Sequence, residues 1–204
     1  MFTGIVAGLA EVSDIKKLDQ LWQLTLTLPE EACGNFTTGA SIAVNGTCLT
    51  IVEWTGRQVV FDVMMETLRL TNLNTLCIGK QVNVERAARF GDEIGGHLLS
   101  GHIYDQAEII AIDQPENNRI ITLKTALQWT PYILSKGFIA LDGASLTINE
   151  VHNNHFKVYL IPETCRVTTL GSKKVGDKVN MEIDSQTQAV VETVHRVLKS
   201  RDSS

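Results

Sequence analysis

The sequence predicts an all-β protein of two tandem domains, closed by a C-terminal α-helix. Three observations carry that expectation. The chain repeats itself at a fixed displacement, each half consists of short β-rich segments between turn residues, and its end switches to helical periodicity.

The repeat comes first because it sets the domain count. Asn45-Gly46-Thr47-Cys48-Leu49-Thr50-Ile51-Val52-Glu53 recurs as Asp142-Gly143-Ala144-Ser145-Leu146-Thr147-Ile148-Asn149-Glu150, 97 residues later (142 − 45). Glu66-Thr67-Leu68-Arg69-Leu70-Thr71-Asn72-Leu73 recurs as Glu163-Thr164-Cys165-Arg166-Val167-Thr168-Thr169-Leu170. Gly79 to Glu85 recurs as Gly176 to Glu182, and Gly4 falls on Gly101, all at the same displacement. Three blocks in constant register without a gap point to duplication. A length of 204 residues leaves one domain or two open; the repeat selects two, 1–97 and 98–194, meeting in the Gly-rich segment Gly91 to Gly96.

Within each half, Leu21 to Leu28, Gln58 to Val63, Arg119 to Lys124 and Phe156 to Ile161 are short and rich in Val, Ile, Leu, Thr and aromatics, as strands are. Asn45-Gly46, Asp142-Gly143 and Asn153-Asn154 supply tight turns, because these residues tolerate positive φ. About six such strands per repeat suggest a small closed barrel or a sandwich, closure hiding the sheet edges. At the end of the chain, Ser185 with Gln188 forms a capping-box pattern. Val190, Val191, Val194, Val197 and Leu198 then make an apolar stripe at helical spacing. The terminal helix and its tail therefore occupy 185–204, and the stripe packs either on the helix's own barrel or against copies of itself in an oligomer.

Composition excludes several classes. With 18 basic and 23 acidic residues the net charge is −5, so sequence-independent nucleic-acid binding is not expected. No apolar run reaches the ~20 residues that span a bilayer, and no membrane association is expected. The opening segment lacks a basic n-region and reaches Glu11 too soon for a secretion signal. Cys33, Cys48, Cys77 and Cys165 form no C-x-x-C pair, which fits reduced thiols in a cytoplasm.

Strand alternation places Cys48 and Thr50 on one face, opposite Thr47, Leu49 and Ile51; in the second copy Ser145 and Thr147 share the corresponding face. Each half thus carries a small polar pair beside a tight turn. Small residues where strands crowd are the plainer account; recognition of a polar ring and a polyol is the functional one. His97 and His102 are separated by an odd number of residues, so a strand would put them on opposite faces, and their glycine-rich surroundings lack the lysine of a phosphate loop. His152 and His155 flank a turn and read as solvated. No nicotinamide, serine-hydrolase or zinc-protease motif is present, and no metal site is expected.

Taken in order, Met1-Phe2-Thr3-Gly4-Ile5-Val6, Asn45 to Thr50, Glu93-Ile94-Gly95-Gly96-His97 through Ser100-Gly101-His102, Asp142 to Thr147, and Ile161-Pro162-Glu163-Thr164 resemble riboflavin synthase of the alpha-chain type. The resemblance runs from Met1 through the terminal helix; the bulky Tyr104 after Gly101-His102-Ile103 stands out at a site margin. It implies two six-stranded antiparallel Greek-key barrels and a homotrimer held through the C-terminal helix. It also implies a cofactor-free transfer of a four-carbon unit between two molecules of 6,7-dimethyl-8-ribityllumazine, giving riboflavin and 5-amino-6-(D-ribitylamino)uracil. The reacting pair would lie between the first barrel of one subunit and the second barrel of its neighbour.

Residue by residue, the resemblance implies that Gly4, Ile5 and Val6 offer backbone hydrogen bonds in the first pocket, and Gly101, His102 and Ile103 in the second. Thr50, Glu66 and Thr67, with Thr147, Glu163 and Thr164, would hold the ribityl hydroxyls. Ser41, Leu49, Leu146, Ile161 and Arg166 would complete the substrate contacts, and Lys136 would reach across the interface. Cys48 and Ser145 would stand near the reacting carbon, with His102 and Phe2 at the catalytic margin. Association with lumazine synthase is left open.

Overall fold

The computed structural model describes residues 1–202, and the last two residues of the expected terminal segment, 203–204, lie outside the described residues. The first half forms β1 (Gly8–Leu18), β2 (Leu21–Thr27), β3 (Ser41–Val44), β4 (Thr47–Thr55), β5 (Gln58–Met64), helix α1 (Met65–Leu70) and β6 (Gln81–Arg86). The second forms β7 (Asp105–Asp113), β8 (Arg119–Lys124), β9 (Phe138–Leu141), β10 (Ala144–His152), β11 (His155–Leu160), helix α2 (Pro162–Val167) and β12 (Lys178–Ile183), followed by helix α3 (Ser185–Asp202).

Each set of six strands closes into an antiparallel barrel in the same circular order. In the first, β2 pairs with β5 instead of with β3, and β6 fills the gap between β1 and β3, a Greek-key path. Closure of so small a barrel needs sharp bends, and bulges supply them. The register slips between Val12 and Asp14 and between Ile51 and Glu53, and again between Ile109 and Ala111 and between Ile148 and Glu150. These are the same places in the two copies.

Alternation then fills the interiors. Leu24, Leu26, Ile51, Val59 and Phe61 are buried in the first core, and Ile109, Ile121, Leu123, Ile148 and Phe156 in the second. Each such side chain contributes about 1.5–3 kcal/mol by leaving water.

The two barrels touch across the Asn45-Gly46 and Asp142-Gly143 turns. All four residues take positive φ, as the two-residue hairpin requires. A Cβ on Gly46 would stand 2.7 Å from the Gly143 nitrogen, so only glycines allow this approach. Around it lies a polar knot with the symmetry of the repeat. Asn180 Nδ2 donates to the Asn45 carbonyl and Asn83 Nδ2 to the Asp142 carbonyl, both at 2.8 Å. The Asn72 N–H donates to Asn180 Oδ1 and the Thr169 N–H to Asn83 Oδ1, both at 2.7 Å. Asp142 is fully buried, and burial pushes its carboxyl up against the pull of Lys173, whose Nζ lies 3.1 Å away.

Helix α3 begins one residue earlier than the capping-box pattern suggests. Asp184, not Ser185, is the cap: its Oδ2 accepts from the Thr187 N–H at 2.9 Å and from the Thr187 hydroxyl at 2.7 Å. Burial acts to raise the Asp184 carboxyl, but these bonds together outweigh it and hold the carboxyl below its usual range. The foot of α3 is tied to the second barrel, where Tyr104 donates to Gln188 Oε1 at 2.6 Å and the Tyr132 hydroxyl bonds Glu192. Val190, within that foot, and Val194, Val197 and Leu198 beyond it are exposed. Among the described residues no helix is long and apolar enough to cross a membrane.

Candidate functional site

The outer face of each barrel carries the small polar residues. On β4, Leu49 and Ile51 point inward while Cys48 and Thr50 point outward, and the register sets Ala43 beside Cys48 and Ser41 beside Thr50. On β10, Ser145 and Thr147 point outward beside Ala140 and Phe138. Two of the expected substrate contacts have inward-pointing side chains, which leaves only their backbone for the outer face. Leu49 and Leu146 are core residues, 5% and 8% exposed, and their side chains face away from any ligand on the outer surface.

The expected grouping of the glycine arms is also corrected. Gly4 lies against the second barrel: its carbonyl accepts from the Ser145 N–H at 2.8 Å, and a Cβ there would stand 2.5 Å from Ser145 Cβ. Val6 packs on the second core. Gly101 lies against the first barrel, its carbonyl accepting from the Cys48 N–H at 2.8 Å, with a Cβ meeting Cys48 Cβ at 2.6 Å. The arms cross because Phe2 and Leu99 form an antiparallel bridge at the start of the two repeats. That bridge carries each arm over to its neighbour, so Gly4-Ile5-Val6 accompanies Ser145 and Gly101-His102-Ile103 accompanies Cys48.

Each arm is nevertheless anchored on its own barrel by a buried carboxylate. Glu85 Oε1 accepts the Thr3 N–H at 2.6 Å and the Thr3 hydroxyl at 2.7 Å, and Oε2 accepts the Gly4 N–H at 3.0 Å. Glu182 Oε1 holds the Ser100 N–H and hydroxyl, both at 2.7 Å, and Oε2 the Gly101 N–H at 3.1 Å. Burial pushes both carboxyls up, the hydrogen bonds pulling the other way. Both glutamates close the third repeated block, a signal visible in the sequence but not read there as functional.

Phe2 was expected at the catalytic margin. It is 1% exposed and lies with Ala43, Leu99 and Ala140 between the barrels, so it supports Cys48 and Gly101 from beneath. His102 is exposed, and Ile103 is half-buried. Tyr104 turns to α3 and to Trp129, its ring 5.6 Å from the indole, and so leaves the margin clear.

His97 is the residue that sequence reasoning passed over. Its Nδ1 lies 2.6 Å from Ser145 Oγ, its N–H donates to the Thr3 carbonyl at 3.1 Å, and its ring stacks on Phe138 at 5.1 Å and 15°. Burial holds its imidazole below the usual histidine range, the Asp184 carboxylate opposing. Depending on its tautomer, the neutral imidazole accepts from the Ser145 hydroxyl at Nδ1 or donates to it, and Nε2 is buried without a partner among the described residues. One clue stood in the repeat: the position 97 residues after His97 is Val194, so the displacement does not repeat this histidine. The two outer faces therefore differ, thiol and Ser41 on one, hydroxyl, imidazole and Phe138 on the other.

Glu66 and Glu163 stand in the first turns of α1 and α2, each gripped by the arginine three residues on. Arg69 and Arg166 each reach their partner at 2.6 Å and 2.8 Å and hold the carboxyls below the usual range. Both pairs are exposed, so they add little to stability and leave carboxylate oxygens presented to solvent. Arg166 thus serves Glu163 directly. Thr67 and Thr164 are half-buried in the same helices, and Ile161 is 60% exposed just before α2. Lys136 is exposed at φ 68°, where the first repeat has Gly39 at φ 90°. Left-handed backbone costs a side-chain-bearing residue about 1–2 kcal/mol, a cost the glycine copy avoids.

A cavity of about 850 Å³ lies elsewhere, between the barrels beside the polar knot, lined by Asn45, Asn72, Thr169 and Lys173, and it contains none of the outer-face residues.

Comparison with known proteins agrees with this layout. The lumazine binding domain family matches residues 3–87 and 100–184, one match per barrel. Riboflavin synthase of Escherichia coli (strain K12) is 54% identical over 204 residues, covering 100% of this chain and 96% of that protein. Riboflavin synthase of Chlamydia pneumoniae is 42% identical over 200 residues, covering 98% of each chain. Among solved structures, LumP complexed with riboflavin superposes with a TM-score of 0.83 at 29% identity, covering 90% of this chain and 99% of that one. LumP complexed with 6,7-dimethyl-8-(1'-D-ribityl) lumazine superposes at 0.81 and 28%. With both barrels matched and full-length relatives at 54% and 42% identity, the chain belongs to the riboflavin synthase family.

Proposed function

We propose that the protein converts two molecules of 6,7-dimethyl-8-ribityllumazine into riboflavin and 5-amino-6-(D-ribitylamino)uracil, using one outer face of each barrel. The two products together contain the atoms of two substrates, so the transfer of four carbons needs no outside oxidant or reductant. The observation that carries the reading is the matched pair of polar faces, Ser41, Cys48 and Thr50 on one barrel and Ser145 and Thr147 with His97 on the other. Two copies of one reactant call for two related pockets.

Much of the acceleration comes from holding two rings together, since well-oriented intramolecular reactions gain roughly 7–11 kcal/mol. Loss of a proton from the C7 methyl group gives a delocalised carbanion, so a modest base is enough. The Ser145–His97 pair supplies it in the second pocket: the neutral imidazole draws the hydroxyl proton and lets Ser145 Oγ receive one from substrate. Backbone groups of the Gly4 arm line this pocket, and those of the Gly101 arm line the Cys48 pocket. Glu66 and Thr67, and Glu163 and Thr164, take the ribityl hydroxyls.

Both faces lie open on the surface, bordered by exposed Met64 on one barrel and by Leu134, Phe138 and Ile161 on the other. A neighbouring copy closes them, the first barrel of one subunit over the second of the next, with Lys136 reaching across. The uncovered stripe of α3 supports a homotrimer about that helix, in a cytoplasm that keeps the four thiols reduced.

Purified protein incubated with the lumazine alone should develop the riboflavin absorbance. Tight binding with no riboflavin formed would reject the enzyme in favour of a flavin carrier resembling LumP. Removing residues from Thr193 onward keeps the Tyr104 and Tyr132 ties but strips most of the stripe. Sedimentation should then show monomers with turnover severely reduced; an unchanged assembly would remove α3 from the interface.

A further inference from the structure

Phe138 begins β9 with 47% of its surface exposed, directly across the ladder from Thr147. The barrel does not demand an aromatic ring at this place, because the repeat puts Ser41 there in the first half, across from Thr50. What the ring touches is His97, in a near-parallel stack 5.1 Å between centroids. The imidazole is otherwise built in from its backbone side. Its N–H is fixed to the Thr3 carbonyl, and the preceding Gly96 leaves no room, since a Cβ there would stand 2.3 Å from that carbonyl and 2.9 Å from Ser145 Oγ. Those contacts place the histidine but do not fix the rotation of its ring, because the terminal torsion of a histidine is broad. The contact with Ser145 Oγ pins one edge of the ring, and a flat platform fixes its plane.

We propose that Phe138 is a positioning residue of the second pocket, a stacking platform that holds the His97 ring with Nδ1 on Ser145 and keeps water from one of its faces. The inference rests on the reading of Ser145 and His97 as the proton-accepting pair. It deepens the difference between the two pockets, since the platform and the imidazole are both confined to the second. Stacking also excludes solvent from a ring that burial already keeps below the usual histidine range. The groups facing that ring are Ser145 from β10 and the Asp184 carboxylate at the start of α3, with Glu85 standing behind Thr3.

The test compares Phe138→Leu and Phe138→Tyr in the full-length protein. Phe138→Leu should lower kcat by about 10–100-fold, as a misaligned catalytic group does, with KM changed less than about twofold. The acid limb of its kcat/KM profile should move up toward the ordinary histidine value, because the ring is rehydrated. Phe138→Tyr should restore both. Titration of the His97 ring by NMR without substrate gives an independent reading, and its midpoint should rise in Phe138→Leu and return in Phe138→Tyr. Wild-type kcat with an unmoved His97 midpoint in Phe138→Leu would overturn the proposal, as would a loss confined to KM or one that tyrosine fails to rescue. Absence of riboflavin formation by the parent protein would count against the proposed function instead, and the His97 titration would still decide the role of Phe138.

Discussion

A Gly143→Ala protein melts about 6–12 °C below the parent, corresponding to about 3 kcal/mol in a chain of this size. Two costs combine. Gly143 sits at φ 82°, where a Cβ alone is worth about 1–2 kcal/mol. That Cβ would also lie 2.8 Å from the nitrogen and 2.9 Å from the Cα of Gly46, backbone atoms that have nowhere to go. Moving them parts the barrels and stretches the Asn83 and Asn180 bonds across the knot, and overpacking of this kind typically costs about 1–3 kcal/mol. Gly56→Ala separates the two terms, for Gly56 has φ 58° and open space around its missing Cβ. A Gly143→Ala protein no less stable than Gly56→Ala would mean that the barrels are not held by this contact.

The second large effect is catalytic. His97→Ala and Ser145→Ala should each lower kcat by about 10²-fold, within the range of a positioned acid or base, and the double variant should be no slower than the slower single one. Residues that act as a unit lose their function once, and the 2.6 Å contact makes these two a unit. Additive losses would separate them. The pH profile supplies a second check. Burial disfavours the charged imidazole, so its folded value lies below the ordinary histidine value of 6.5, and the acid limb of kcat/KM should fall below that pH. The same sign applies to stability. An unfolded chain takes up the His97 proton as pH drops through 6.5 while the folded chain resists it, so the protein loses stability on the acid side.

Much of the architecture is legible before folding. The displacement of 97 residues, the paired turns at Asn45-Gly46 and Asp142-Gly143, and the alternation through Cys48 and Ser145 all reappear in the structure, since each reflects a local rule of strands and hairpins. The failures have a common cause. Repeat arithmetic says which residues are equivalent, but not which copy a residue touches. The resemblance puts Gly4 in the first pocket and Gly101 in the second, and nothing in the displacement reveals that the Phe2–Leu99 bridge lays each against the other barrel. His97 looked unpromising because its spacing from His102 was judged as though both lay on one strand. It meets Ser145, 48 residues away, across a connection with no regular period. Leu49 and Leu146 enter only through the resemblance, while strand alternation already turns their side chains inward.

The crossed arms bear on the order in which the molecule can be completed as it is made. The backbone of Cys48 is satisfied by Gly101, and Gly101 is held in turn by Glu182. A nascent chain that has released β1 to β6 holds every strand of its first barrel, yet the wall of that barrel's pocket is anchored by the last strand of the second. Domains emerging in sequence normally finish in sequence. In this protein the segment that caps Cys48 is anchored by the later domain, so on the proposed reading of the site a truncated half-chain presents its barrel without that anchored wall.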